Sequence, residues 1–219
     1  MCGRFPQNRR PSRYAEALDQ AWQPLPLDLQ PSWNVAPGRD ALVFHDDEDG
    51  HVAELLYWGF LPSWAGPEKK RYINAKVETA ARLGYFRRVW QSGRCLVPAD
   101  GWYEWTVTPK GKQPYYIYRA DGEPVLMAGL YETNPHANST SFAILTMEAK
   151  DALRELHDRE PLVLSPEAAR AWIRRDLPPE EVAAIAQHPL TSRDFAWHTV
   201  SPRVNDARND GADLVAKAP

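Results

Sequence analysis

The sequence predicts an α+β fold built around antiparallel β-sheet, and two observations support that prediction. Short segments rich in β-branched and aromatic residues, bounded by Gly, Pro, Asp and Asn, run from one end of the chain to the other. No linker, repeat or low-complexity block interrupts the 219 residues. We therefore expect one domain that covers residues 1–219.

The first predicted element is a short amphipathic helix over residues 12–22, because apolar side chains recur there at helical spacing. The apolar face of this helix would consist of Tyr14, Ala17, Leu18 and Ala21. A proline-rich extended stretch follows the helix, so Asn34 is expected in a loop.

The middle of the chain is predicted to be rich in strands. Residues 41–45 and 52–60 flank an acidic turn, as the two arms of a hairpin do. Residues 74–90 lead from a loop into a helix that ends at Ser92-Gly93. Further strands are expected at 94–98, 101–107, 114–119, 124–131 and 141–146.

The last third is predicted to hold two helices and one strand. Ser165 is placed to cap the first helix, with Pro166 at its first position and Glu167 in its first turn. A second helix starts after Pro178 by the same logic, and a strand near 195–200 precedes a polar tail.

Composition limits the classes of function. The formal net charge is −3 and the isoelectric point is near 6.1, which argues against binding long duplex DNA through bulk charge. No apolar run reaches the roughly 20 residues of a membrane helix, and the first residues lack the basic-then-apolar pattern that is typical of a secretory signal. With only Cys2 and Cys95, no disulfide framework is implied, so we expect a reducing, cytoplasmic compartment and a buried, inert Cys95.

Common metal and cofactor motifs are missing from the sequence. The six histidines form no zinc spacing, and the acidic string at 45–51 lacks the EF-hand pattern and reads as a solvated hairpin tip. There is no P-loop, dinucleotide fingerprint or nucleophile elbow. The sequence therefore predicts neither a metal nor a cofactor.

Cys2 is the first residue that could carry chemistry. If Met1 is removed, Cys2 holds a free α-amine with a reference pKa of about 7.7–8.0 beside a thiol with a reference pKa of about 8.5. Both groups are then partly nucleophilic near neutral pH. The position alone also fits an unconstrained second residue with no role.

Three polar residues stand within apolar or aromatic strings. Glu104 lies between two aromatics, where burial would raise its pKa and suit it to general acid–base catalysis; a strand with Glu104 on its solvated face fits equally. His157 precedes an apolar strand and could shuttle protons, or lie in a solvated loop. Asn34 stands beside a rigid Ala-Pro-Gly turn and could fix an amide, or be a turn residue alone.

Seven strings, in order, resemble the SOS-response-associated peptidase (SRAP) family: MCGRF, WNVAPG, YWGFLPSWA, INAKVET, PADGWYEW, HDREPLVL and VSPRVNDARNDGADL. The resemblance runs from Cys2 to the final residues. It implies a mainly antiparallel, barrel-like core with peripheral helices. It also implies a monomer of the DNA damage response that binds single-stranded DNA and links covalently to abasic sites, without a cofactor and near the nucleoid when bound.

The resemblance implies four catalytic residues, which are Cys2, Asn34, Glu104 and His157. The amine of Cys2 would condense with the abasic-site aldehyde, and its thiol would then close a thiazolidine. That second step is intramolecular, and effective molarities for such steps reach about 10⁵–10⁸ M. Glu104 would transfer protons, Asn34 would orient the Cys2 backbone or a sugar hydroxyl, and His157 would assist ring opening. Weak lyase activity at the imine, and a peptidase activity that removes Met1 or reverses the link, are also implied.

DNA contacts are carried over from the same strings. The residues are Arg4, Lys76 and Arg159 for phosphates, Asn74 and Thr146 as further contacts, and Trp64 and Trp105 for stacking on bases, with a core position as the alternative for each Trp.

Two residues depart from the family pattern. Lys76 stands where Arg is common, and Lys loses the bidentate fork for phosphate. Ala65 replaces a second aromatic found in some relatives, so a smaller stacking wedge is expected. The basic runs at 69–71 and 87–88 could extend the groove or be solvated surface.

Two other classes of function fit parts of the sequence. N-terminal-nucleophile amidohydrolases, including glutamine amidotransferases, also begin with Met-Cys-Gly and use the thiol on an amide. A non-catalytic single-strand binding module would leave Cys2 incidental. A glutaminase assay identifies the first, and unchanged DNA behaviour of Cys2→Ala identifies the second.

Overall fold

The computed structural model of the protein describes residues 2–19, 22, 29–48, 50–109 and 111–218. Within these residues strands dominate and the helices are short. The strands are β1 (Phe5–Gln7), β2 (Ser32–Val35), β3 (Asp40–Asp46), β4 (His51–Trp58), β5 (Asn74–Lys76), β6 (Arg94–Ala99), β7 (Trp102–Thr108), β8 (Gly111–Arg119), β9 (Val125–Asn134), β10 (Ser139–Glu148), β11 (Arg159–Pro161) and β12 (Phe195–Thr199). The helices are α1 (Pro11–Glu16), α2 (Val77–Ala80), α3 (Arg87–Ser92), α4 (Pro166–Ile173) and α5 (Pro179–Gln187).

Five strands close into a ring in the order β4, β3, β6, β9 and β10, because β10 pairs with β9 on one side and with β4 on the other. All pairs of the ring are antiparallel except β4–β10. The second half of β10 also pairs in parallel with β5 and antiparallel with β11. The predicted α+β class with a mainly antiparallel, barrel-like core is confirmed, with these two parallel pairings added.

The two faces of the ring strands enter different hydrophobic clusters, as the period of two along a strand requires. One face contributes Leu42, Phe44 and Leu96 to a cluster that also contains Trp172 of α4. The other face contributes Val43, Val97, Met127 and Phe142 to a second cluster, which also contains Cys2. Burial of each large side chain contributes about 1.5–3 kcal/mol, so the ring is a rigid support for what lies at its rim.

The N-terminal segment is tied to this support by buried hydrogen bonds. Gln7 donates from its side-chain amide to the carbonyls of Leu42 (3.1 Å) and Pro98 (2.7 Å), and accepts from the Leu42 backbone N–H. The backbone N–H of Tyr103 donates to the Arg4 carbonyl at 3.0 Å. The first residues of the chain are thus fixed between the ring and β7, which belongs to a second sheet of order β12, β8 and β7.

Most predicted elements are confirmed. The hairpin is β3–β4, the predicted central strands are β6 to β10, and the strand near 195–200 is β12. The Ser165 side chain caps α4 by accepting from the backbone N–H of Ala168. Cys95 is fully buried, as predicted.

Four local predictions need correction. Helix α1 ends at Glu16, where a turn leads to Asp19 at a φ of 47°, while residues 20–21 and 23–28 lie outside the described residues. Asn34 lies in β2, paired to β1, and not in a loop. Residues 74–76 form a strand (β5) paired with β10 where a loop was expected, because that pairing holds the segment extended. The helix predicted to end at Ser92 is split into α2 and α3.

The polar tail is also more ordered than its composition suggests. Val200, Val204 and Leu214 are fully buried and form a small cluster with Tyr103 and Tyr116. The C-terminal segment therefore packs on β7 and β8. In the described part of the chain no helix is both long and apolar enough to cross a lipid bilayer.

Candidate functional site

Cys2 is held at the rim of the ring. Its side chain is fully buried, and its backbone carbonyl accepts a hydrogen bond of 2.8 Å from Nδ2 of Asn74 on β5. Burial raises the pKa of the Cys2 thiol well above its usual range, and the nearby Glu104 carboxylate adds to this rise. The thiol is therefore neutral near pH 7 and not a free thiolate.

Glu104 is the second element of the site. It lies on β7 with only 2% of its surface exposed, so the solvated-face alternative does not hold. Burial raises the pKa of Glu104 to about 7, and the negative charge of Asp158 contributes in the same direction. Near neutral pH both the acid and the carboxylate are populated, so Glu104 can both give and accept a proton.

His157 follows a 3₁₀ helix (Asp151–Glu155) and precedes β11. Its Nδ1 lies 2.7 Å from a carboxylate oxygen of Asp158 and 3.0 Å from the backbone N of Arg159. Burial lowers the pKa of His157, which favours the neutral ring. A neutral imidazole donates to Asp158 in one tautomer and accepts from Arg159 in the other, which suits a proton relay.

Two clefts meet at His157. The Glu104 cleft, of about 560 Å³, is lined by Glu104, Trp105, Val107, Lys112, His157 and Asn205. The Lys76 cleft, of about 490 Å³, is lined on its polar side by Asn74, Lys76, Thr146, His157, Asp158 and Arg159.

A third, apolar cleft continues the path. The Trp64 cleft, of about 590 Å³, shares Tyr72, Leu83 and Phe86 with the Lys76 cleft. Neighbouring clefts thus share lining residues, and the three form a row that we call the groove, with His157 where the Glu104 cleft and the Lys76 cleft meet. The residues that line the Trp64 cleft are Trp64, Tyr72, Leu83, Gly84, Tyr85 and Phe86.

The two predicted stacking aromatics lie in different clefts. Trp64 is 58% exposed and meets Tyr85 edge to face at 5.2 Å, so it is not a core residue. Trp105 is half-buried, and its indole N–H donates to Oδ1 of Asn205 at 2.6 Å. Both rings have a surface available for contact, and the hydrogen bond to Asn205 fixes the orientation of the Trp105 ring.

The three predicted phosphate contacts differ in their surroundings. The Arg159 guanidinium makes two bonds to Glu78, of 2.7 and 2.9 Å, and one to the carbonyl of Thr146. Arg4 donates to Oδ1 of Asn34 and to a backbone carbonyl at 2.9 Å each. Lys76 is exposed. Only Lys76 thus presents its charge to solvent directly, and phosphate binding by all three stays a prediction.

The side-chain amide of Asn34 forms its hydrogen bonds with the C-terminal segment and not with Cys2. Its Nδ2 donates to the backbone carbonyls of Val204 (3.3 Å), Asp206 (3.1 Å) and Asn209 (2.8 Å). It therefore fastens the C-terminal segment to β2, while the bond to the Cys2 backbone comes from Asn74. Contact of Asn34 with a sugar hydroxyl stays a prediction.

Sequence reasoning missed two residues that line these clefts and one that pairs with a cleft residue. Lys112 and Asn205 line the Glu104 cleft, and Glu78 is the partner of Arg159. Lys112 could have been found from strand pairing, since it stands opposite Val107 in the β7–β8 hairpin. Glu78 and Asn205 depend on tertiary contacts with residues that are 81 and 100 positions away in the sequence, and no local pattern signals such contacts.

No group of three or more His, Cys, Asp or Glu is arranged to hold a metal ion among the residues that the structure describes. The acidic hairpin tip between β3 and β4 contains Asp49, which lies outside the described residues.

Comparisons with known proteins agree with the fold and with the strings noted above. The model of the family described as SOS response associated peptidase (SRAP) matches residues 1–207. Abasic site processing protein YedK of Escherichia coli K12 is 39% identical, over 98% of this chain and 99% of the relative. Abasic site processing protein HMCES of Xenopus tropicalis is 30% identical, over 85% of this chain and 66% of the relative. A solved structure of a phage-related protein from Bordetella bronchiseptica superposes with a TM-score of 0.75 at 36% identity, over 91% of this chain and 94% of that one.

Proposed function

The chain belongs to the SOS response associated peptidase (SRAP) family, and from that premise we propose that it recognises abasic sites in single-stranded DNA and links to them covalently through Cys2. Its relatives are named abasic site processing proteins, which supports abasic DNA as the substrate and the DNA damage response as the setting. The observation that carries the proposal is the position of Cys2 beside Glu104, a carboxyl group with a pKa of about 7.

The reaction uses both nucleophiles of one residue. Removal of Met1 leaves Cys2 with a free α-amine, which attacks the aldehyde of the ring-opened abasic sugar and forms an imine with loss of one water. The thiol then adds to the imine carbon, and its proton passes to the nitrogen. The product is a five-membered thiazolidine that joins sugar and protein. Because the second step is intramolecular, it competes well against strand cleavage from the imine.

Glu104 is the proton-transfer group of this scheme. As a carboxylate it takes a proton from the sugar hydroxyl during ring opening, and as an acid it returns one to the departing water. A pKa near the working pH makes both transfers efficient. His157, neutral and in contact with Asp158, relays protons between this carboxyl group and solvent.

The DNA strand follows the groove formed by the three clefts. Lys76 and Arg159 contact phosphates, Asn74 and Thr146 line the same path, and Trp64 supplies a stacking surface. Stacking of a base on an aromatic side chain contributes about 1–3 kcal/mol. Arg4 and Asn34 keep the neighbouring C-terminal segment in place.

One property argues against the hydrolase alternative. An amide-cleaving cysteine works as a thiolate, whereas burial raises the pKa of the Cys2 thiol and disfavours that form. Thiazolidine closure needs no free thiolate before the imine forms, because the proton moves to nitrogen in the same step. Peptidase activity toward other proteins is therefore the weaker proposal.

The test is a denaturing gel of untagged protein incubated with a single-stranded oligonucleotide that carries one abasic site. We expect a band of protein joined to DNA, which is lost in Cys2→Ala and slowed in Glu104→Gln. An intact oligonucleotide of the same sequence is the control. Absence of the band, from protein whose mass confirms loss of Met1, would falsify the proposal and bring glutaminase and peptidase assays forward.

A further inference from the structure

The Glu104 cleft has a wall that the catalytic scheme does not use. Val107 and Lys112 stand opposite each other in the β7–β8 hairpin, and Asn205 ends a 3₁₀ helix (Pro202–Asn205) of the C-terminal segment. Val107 is 84% exposed. The wall thus combines a cation, an amide and an uncovered apolar side chain.

Lys112 is the available cation of this wall. Its side chain is exposed, and within the described part of the chain it forms no ion pair. The Arg159 guanidinium, by contrast, is paired with the Glu78 carboxylate through two hydrogen bonds. Lys112 and Lys76 are therefore the lysines of the groove that can accept a phosphate without first losing a carboxylate partner.

Asn205 is oriented from two sides. Its Oδ1 accepts the indole N–H of Trp105 at 2.6 Å, and its backbone carbonyl accepts from Arg4 at 3.5 Å. Because Oδ1 is used, the side-chain NH₂ with its two donors remains to meet an acceptor in the cleft. Fixing Asn205 also fixes the plane of Trp105 beside it.

We propose that Lys112, Asn205 and Val107 form a nucleotide subsite, which binds the phosphodiester and nucleoside next to the abasic residue on the side away from Lys76. This inference rests on the proposed function. Lys112 lines one cleft and Lys76 the other, and the two clefts meet at His157. An abasic sugar held near Glu104 and His157 has a phosphate on each side along the strand, so one lysine is available to each.

The chemistry of the subsite fits this occupant. The ammonium of Lys112 pairs with the phosphate, the amide of Asn205 donates to a phosphate or sugar oxygen, and Val107 with the edge of Trp105 covers the nucleoside. The cleft of about 560 Å³ lies within the usual range of about 300–1,000 Å³ for small-ligand sites. Recognition is independent of base identity, since no base edge is read.

The test compares three oligonucleotides that carry one abasic residue, with flanking nucleotides on both sides, on the 5′ side only or on the 3′ side only. Affinity before linkage is measured with Cys2→Ala backgrounds by fluorescence anisotropy, and linkage rates are measured with Cys2 intact. The variants are Lys112→Ala, Lys112→Arg and Lys76→Ala, with Arg175→Ala as a control that removes an exposed cation outside the three clefts.

On the two-flank oligonucleotide, Lys112→Ala should reduce the salt dependence of binding by about 0.7 in the log–log slope, as loss of one single-strand phosphate contact does. Lys112→Arg should restore it, and Arg175→Ala should leave it unchanged. The Lys112 effect should vanish on one single-flank oligonucleotide and the Lys76 effect on the other. The subsite is overturned if Lys112→Ala and Arg175→Ala change the salt-dependence slope equally. It is also overturned if the effects of Lys112→Ala and Lys76→Ala both vanish on the same single-flank oligonucleotide. Failure of unmodified protein to form any link would instead overturn the proposed function.

Discussion

The side-chain amide of Asn74 holds the backbone carbonyl of Cys2 through a hydrogen bond of 2.8 Å. Asn74 is itself fixed, because β5 pairs in parallel with β10 and places Asn74 opposite Ile144. The residue proposed to react is thus anchored to the β-barrel through one donor, and the direction in which its amine points depends on that bond.

Replacing Asn74 by Asp should slow formation of the DNA link. The carboxylate has no N–H to donate to the Cys2 carbonyl and repels the phosphates nearby. Misplacement of a reacting group by about 1 Å can cost about 100-fold in rate. Single-turnover gels give the rate, with Asn138→Asp, a change at an exposed turn residue, as the matched control. A rate equal to that control would show that the bond does not position Cys2.

The pH dependence of linkage should reveal Glu104. Its raised pKa of about 7 means that the carboxylate fraction grows about tenfold per pH unit below about pH 6. The free α-amine grows in the same direction, since its reference pKa is about 7.7–8.0. The logarithm of the rate should therefore rise with a slope near two below about pH 6, and with a slope near one there in Glu104→Gln. Rates at five or more pH values decide between them, and an unchanged slope in the variant excludes Glu104 as the base.

Replacing Glu78 by Gln should strengthen binding to single-stranded DNA. Glu78 occupies both Nη atoms of Arg159, so the variant releases a charged guanidinium into the Lys76 cleft. One added phosphate contact steepens the salt dependence by about 0.7 in slope. The cost in stability should stay below about 1 kcal/mol, as for other partly exposed ion pairs. Anisotropy titrations at several salt concentrations measure the slope, and Glu181→Gln controls for the change in net charge.

If Glu78→Gln and Glu181→Gln bind DNA alike, Arg159 contacts no phosphate, and its role is to join α2 to β10 and β11. Arg159→Ala should then lower stability more than affinity.

Replacing Asn34 by Ala should loosen the C-terminal segment. Three backbone carbonyls lose their donor and Arg4 loses an acceptor, at about 0.5–1.5 kcal/mol for each bond. A loss of about 2–6 kcal/mol in the free energy of unfolding follows from the four bonds, measured in urea. Amide exchange should accelerate first in residues 200–218. A normal stability combined with slow linkage would instead place Asn34 in contact with the sugar.

The fold was predictable where the chain carries local signals. Alternating apolar residues and turn residues identify β3, β4 and β6 to β10, and the Ser165-Pro166-Glu167 string identifies the start of α4. The ring itself was not predictable from these residues alone, because its closure depends on β10 meeting both β9 and β4. Such pairings reflect tertiary geometry that no local pattern encodes.

The site was predictable in its chemistry but not in its partners. Aromatic neighbours indicated a raised pKa at Glu104, and burial on β7 produces it. The commitment of Arg159 to Glu78, and of Asn34 to the C-terminal carbonyls, could not be foreseen. Each joins residues distant in sequence, so only the folded chain shows which polar groups remain available for a ligand.

The most direct measurement is the intact mass of the product that protein and abasic oligonucleotide form, followed by the mass of its linked N-terminal peptide. The expected mass is that of the protein without Met1 plus that of the oligonucleotide, less one water, with the oligonucleotide attached at Cys2. The product should persist without a reducing agent, because the thiazolidine is closed. A link at another residue, or one that survives only after borohydride reduction, would contradict the role given to the Cys2 thiol.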